Sequence, residues 1–118
     1  MSRRPVGLLI EDMLERIRRI ERFVADLDRE AFLRDEKTID SVVRNLEVIG
    51  EAASRLPGEF RESHAAIPWR RIVGLRHRIV HEYFDVDLDI VWTIVRAELP
   101  ELKAQPLPLR SAPELRGE

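Results

Sequence analysis

An all-α bundle of four to five antiparallel helices is the fold this sequence predicts, and three observations carry the prediction. Large apolar residues recur at intervals of three and four along most of the chain, the spacing of an amphipathic helix. Charged residues make up 36% of the 118 and glycine contributes only five, a balance that suits helices with solvated outer faces. No stretch alternates apolar and polar residues as a half-buried strand would. The length fits one domain with one core. Residues 1–105 are assigned to the bundle and residues 106–118 to an irregular tail, because Pro106, Pro108 and Pro113 fall there among few large apolar residues.

The first helix is expected over about residues 7–28, where Leu9, Met13, Ile17, Ile20, Val24 and Leu27 form one stripe. Residues 29–36 are a short irregular or helical piece. A second helix is expected over about residues 37–56, with Ile39, Val42, Val43, Leu46, Ile49, Ala53 and Leu56 on one face and Pro57-Gly58 ending it. Gly50 interrupts this helix beside Ala52 and Ala53, a small-residue patch that lets another helix come close. Residues 59–67 read as a polar connector. Pro68 suits the first turn of a third helix carrying Ile72, Leu75, Ile79 and Val80 toward Tyr83. Asp85 and Asp87 are candidate caps for a fourth helix from about Leu88, with Val91, Trp92, Val95 and Leu99 on its stripe and a kink or restart at Pro100.

Composition excludes some chemistry. Cysteine is absent, so disulfides and thiolate metal sites are ruled out. His77 and His81 stand four apart, yet no third ligand is evident, and neither metal nor cofactor is expected. The apolar run at residues 6–10 ends at Glu11 and Asp12, far short of a signal peptide or a spanning segment, so a cytoplasmic location is expected. With a net charge of −2, attraction for nucleic acid must come from a local basic patch.

That patch is residues 68–83. Arg70, Arg71, Arg76 and Arg78 stand there against one acid, Glu82. His77 and His81 add charge below about pH 6.5. A positive spot on a slightly acidic chain suits a phosphate ligand, although a solvated helix face carries the same residues. On a continuous helix Arg76 falls on the stripe of Ile72, Ile79 and Tyr83, where a guanidinium needs a cleft or a partner such as Glu47 or Glu51, or else snorkels. His81 lies about 140° around from Arg76 at 100° per residue. Either the helix ends near His81, or two copies of the segment face each other across a two-fold dimer, the preferred arrangement. In such a cleft a neutral imidazole takes the proton of a ribose 2′-hydroxyl and an imidazolium protonates the leaving 5′-oxygen. Arg76 stabilises charge growing on the phosphate. Those residue types are suited to RNA cleavage without metal.

Arg76, His81 and Tyr83 resemble the Arg-x4-His-x-Tyr motif of HEPN-domain proteins, in particular the HepT-like ribonuclease toxins. The flanks agree: residues 44–52 (RNLEVIGEA) resemble the family's second-helix signature, residues 67–76 (IPWRRIVGLR) the lead-in and residues 83–87 (YFDVD) the exit. The likeness covers about residues 5–105. It implies a helical-bundle homodimer that cleaves RNA, with Arg76 and His81 catalytic. It also implies a minimal nucleotidyltransferase antitoxin that adds AMP to Tyr83, placing negative charge and bulk in a phosphate site. Where many relatives carry a small polar residue after the motif arginine, this chain has His77. Arg70, Arg71, His77 and Arg78 are candidate RNA contacts and Asn45 a supporting residue. Trp69 and Trp92 are expected to pack, and His64 to lie on the surface. Two other readings remain: a non-catalytic nucleotide- or substrate-binding partner of a nucleotidyltransferase, and a structural dimerisation bundle.

Overall fold

A computed structural model describes residues 4–80 and 86–105 of the chain, and these are helical apart from short links and one isolated bridge between Val80 and Val86. Helix α1 (Val6–Val24) and helix α3 (Glu36–Ser54) form the central pair. Leu9, Ile10, Met13, Ile17, Ile20 and Val24 of α1 are buried, as are Val42, Leu46, Ile49 and Ala53 of α3. These are the stripes the spacing predicts, and burial of their apolar area is what holds the pair together.

The links between helices follow the acids. Helix α1 stops at Val24, short of Leu27, and Asp28 caps the five-residue α2 (Arg29–Leu33) by accepting from the Ala31 N–H at 2.8 Å. Helix α2 serves to bury Phe32, whose ring lies 5.1 Å from that of Trp92. Asp35 caps α3 through the Thr38 N–H at 3.0 Å, and Thr38 Oγ1 donates back to its carboxylate at 2.8 Å. Those two bonds, backbone first, hold the Asp35 carboxyl below its ordinary range.

Three sequence expectations are corrected here. The polar connector contains a short helix, α4 (Gly58–Ser63), anchored by the buried Phe60; a six-residue helix with one apolar contact has no period to detect. His64 at its end is half-buried, its Nδ1 3.0 Å from the Phe60 carbonyl and its ring 4.3 Å from that of Phe60, and is not plain surface. The third helix is two: α5 (Trp69–Val73), with Pro68 one position ahead of its first turn, and α6 (Leu75–Ile79), meeting at Gly74. The backbone at this break presses on α3. A Cβ on Gly50 would stand 3.1 Å from the Ile72 carbonyl oxygen and 3.5 Å from that of Val73, so the small-residue patch does admit a close approach.

Asp87 caps α7 (Leu88–Thr93) through the Ile90 N–H at 3.1 Å; Asp85, the other candidate cap, lies outside the described residues. A π-helical turn (Ile94–Glu98) follows, closed by the Leu99 N–H on the Ile94 carbonyl, and α8 (Leu99–Lys103) continues from it. Pro100 lacks the N–H of an α-helical ladder, and the wide turn just before it absorbs the interruption. Among the described residues no helix is long and apolar enough to cross a membrane.

Candidate functional site: a cleft beside Arg76

The segment that carries the motif leaves α6 abruptly. Val80 is extended (φ −109°, ψ 123°), its backbone bridges to Val86, and the Asp87 N–H donates to the Ile79 carbonyl at 2.6 Å. The chain is therefore pinned to itself on both sides of residues 81–85. Those five residues, His81 and Tyr83 among them, lie outside the described residues. The third helix thus ends before His81 and does not run on toward Tyr83.

Arg76 is exposed rather than turned toward the core. The break at Gly74 resets the helical phase, so a stripe drawn through Ile72 does not extend through Arg76. It lines a cleft of about 430 Å³ between α3 and the α5–α6 turn. Arg44, Glu47 and Glu51 face it from α3, with Arg76 and His77 from α6. Among the described residues no ion pair engages Arg76. Glu51, a partner considered for it, binds Arg55 at 3.1 Å instead. A shallower groove of about 700 Å³ adjoins the cleft, sharing Val73 and His77 with it. Arg61, Glu62 and Arg70 line that groove.

The four predicted RNA contacts divide between two environments. Arg70 and His77 lie along the groove, both exposed. Arg71 and Arg78 converge on Glu98 of the π-helical turn. Arg78 donates from both terminal nitrogens, at 2.8 and 2.7 Å, and Arg71 donates at 3.2 Å. The Arg78 hydrogen bonds, aided by charge attraction from both arginines, hold the Glu98 carboxyl below its ordinary range against the opposing effect of its partial burial. This clamp fastens α6 to the last helical run twenty residues on. No sequence signal announces it, because the pairing depends on how the elements pack. Arg44 and Arg61 were invisible from the sequence as members of the site, since they come from a helix read as framework and from the connector, whereas Glu47, considered as a partner for Arg76, does line the cleft beside it.

Asn45 is 5% exposed and joins the central helices. Its Nδ2 donates to the Ser41 carbonyl at 2.6 Å, and its Oδ1 accepts from Arg16 of α1 at 3.3 Å. It adjoins Arg44 in sequence, on the helix that forms one wall of the cleft. Trp69 and Trp92 pack as expected: the Trp69 Nε1–H donates to the His64 carbonyl at 3.1 Å, and Arg96 stacks 4.4 Å from the centre of the Trp92 ring. Among the described residues no three metal-ligating side chains converge.

Comparison with known proteins bears on what this cleft serves. The model of the ribonuclease HepT-like family matches residues 13–108. A "Probable ribonuclease HepT" of Thermococcus cleftensis is 41% identical over 96 residues, covering 81% of this chain and 87% of the relative. A "Putative RNase" of Caldanaerobacter subterraneus is 45% identical over 86 residues, covering 73% and 76%. Another "Putative RNase", from Methanocaldococcus jannaschii, is 35% identical over 105 residues, covering 89% and 96%. No solved structure gives a significant match. With the motif arginine, Arg76, lining a helical-bundle cleft and a family model spanning most of its length, the chain belongs to the ribonuclease HepT-like family.

Proposed function

We propose that this chain is a metal-independent endoribonuclease toxin that works as a homodimer, with Arg76 and His81 of both subunits lining one shared cleft. The observation that carries the reading is Arg76, the motif arginine, exposed at the edge of a cleft with no described ion-pair partner, in a member of a ribonuclease family. A guanidinium so placed is available to a phosphodiester.

In the reaction, one His81 imidazole removes the proton from a ribose 2′-hydroxyl. The 2′-oxygen attacks phosphorus, the bond to the 5′-oxygen breaks, and the second imidazolium protonates that oxygen as it leaves. Arg76 stabilises the charge that builds on the non-bridging oxygens. Arg70 and His77 hold flanking phosphates. Arg71 of α5 and Arg78 of α6, both bonded to Glu98, keep the α5–α6 turn in position. Asn45 supports the site by fixing α1 against the wall that carries Arg44.

Control comes from a nucleotidyltransferase antitoxin that adds AMP to the Tyr83 phenol. Tyr83 is two residues from His81, so each added phosphate repels RNA at the point where RNA must bind. Two experiments test the reading. His81→Ala abolishes RNA cleavage and growth inhibition with thermal stability nearly unchanged; full activity in that variant, contaminating nuclease excluded, refutes it. Coexpression with a partner nucleotidyltransferase raises the intact mass by whole AMP units, and Tyr83→Phe prevents this. Tight ATP binding with every tested RNA left intact instead supports the non-catalytic reading.

A further inference from the structure

We infer that the cleft and the neighbouring groove form one continuous track for single-stranded RNA, running from Arg76 past His77 to Arg70 and Arg61, with Arg44 on the opposite wall. The inference rests on the ribonuclease reading of the same site. The two depressions share Val73 and the exposed His77, so they lie side by side and a strand leaving the cleft reaches the groove past His77. Their walls present four guanidiniums, from Arg44, Arg61, Arg70 and Arg76. The acids are Glu47, Glu51 and Glu62, and of these Glu51 is engaged by Arg55. Together the two depressions set four guanidiniums against three carboxylates, a net positive lining on a chain whose net charge is −2. Among the described residues no ion pair engages the four arginines, in contrast to Arg71 and Arg78, which are held by Glu98. Free guanidiniums spaced along a groove track a phosphate backbone and do not read sequence. Trp69 lines the groove but is only 7% exposed, and Trp92 packs elsewhere against Phe32 and Arg96, so the track holds RNA by phosphates rather than by stacking on those indoles. Arg44 and Arg61 thereby become substrate-binding residues, and the substrate is a strand longer than the nucleotides flanking the cut.

The test measures binding of a 2′-O-methyl RNA oligonucleotide, which cannot be cleaved, to the full chain across a salt series, alongside cleavage of unmodified RNA. Arg44→Gln, Arg61→Gln and Arg70→Gln each lower the steepness of the log Kd against log salt plot by about 0.7, and the triple variant by about 2. Arg22→Gln removes an exposed cation from α1, outside both depressions, and leaves the slope unchanged. Unchanged slopes in all three variants while the wild type still cleaves RNA overturn the track and leave the ribonuclease reading intact. A change of oligomeric mass by light scattering, with slopes unchanged, assigns the groove to a protein partner and also overturns the track. A wild type that neither binds nor cleaves RNA overturns both.

Discussion

Breaking the Arg78–Glu98 clamp should destabilise the fold measurably without touching RNA binding directly. The two side chains meet through contacts of 2.8 and 2.7 Å and are 24% and 28% exposed. Exposed pairs contribute about 0.2–1 kcal/mol, whereas removing one partner of a fully buried pair costs about 3–5 kcal/mol. A partly buried bidentate pair falls between, and a coupling of about 1–2 kcal/mol is expected. For a chain of this size that is a melting shift of roughly 4–8 °C. The assay is a double-mutant cycle of Arg78→Met and Glu98→Gln by urea denaturation, followed by tryptophan fluorescence. The salt dependence of RNA binding is measured on the same proteins. Arg78→Met leaves the salt slope as in the wild type, because its guanidinium is already held by a carboxylate. A coupling indistinguishable from zero refutes the clamp, and a slope reduced by about 0.7 makes Arg78 a phosphate contact instead.

Acid should erode the same clamp. The Glu98 carboxyl is held below its ordinary range, so its contribution is complete above about pH 4.5 and is lost as pH falls through the depressed folded value. The stability difference between wild type and Glu98→Gln therefore shrinks as pH drops from 6 toward 3, as thermal melts at a series of pH values will show; a constant difference contradicts the assignment. Gly50→Val places its side chain against the Ile72 carbonyl and costs about 1–3 kcal/mol in chemical denaturation, with cleavage impaired because the α5–α6 turn must move. Phe32→Ala empties a fully buried site beside Trp92 and costs about 3–5 kcal/mol by the same measurement. Asn45→Ala loses both side-chain hydrogen bonds and costs about 1–2 kcal/mol.

The long helices were legible because their signal repeats. Leu9 through Val24 and Ile39 through Ala53 each supply several turns of a single stripe, and the structure buries those stripes. Gly50 was legible as a close approach, though not what approaches it. The short elements were not legible. Helix α4 has one anchor, Phe60, and α5 and α6 separate at Gly74 because the backbone turns where it meets α3. That turn removed the basis for placing Arg76 on an apolar face. The basic segment was visible as a run of cations, but its division was not. Whether an arginine faces a groove or a carboxylate depends on Glu98 and on the wall that carries Arg44, and neither neighbour is implied by local spacing.

The most direct test uses a defined RNA oligonucleotide, purified protein and an excess of chelator, with mass spectrometry of the fragment ends. Cleavage by Arg76 and His81 through the 2′-oxygen predicts that cutting persists in chelator, leaves a 2′,3′-cyclic phosphate or its hydrolysis product, and stops when the ribose at the cut carries a 2′-deoxy substitution. Cutting that requires a divalent ion, or that proceeds at the 2′-deoxy site, contradicts it.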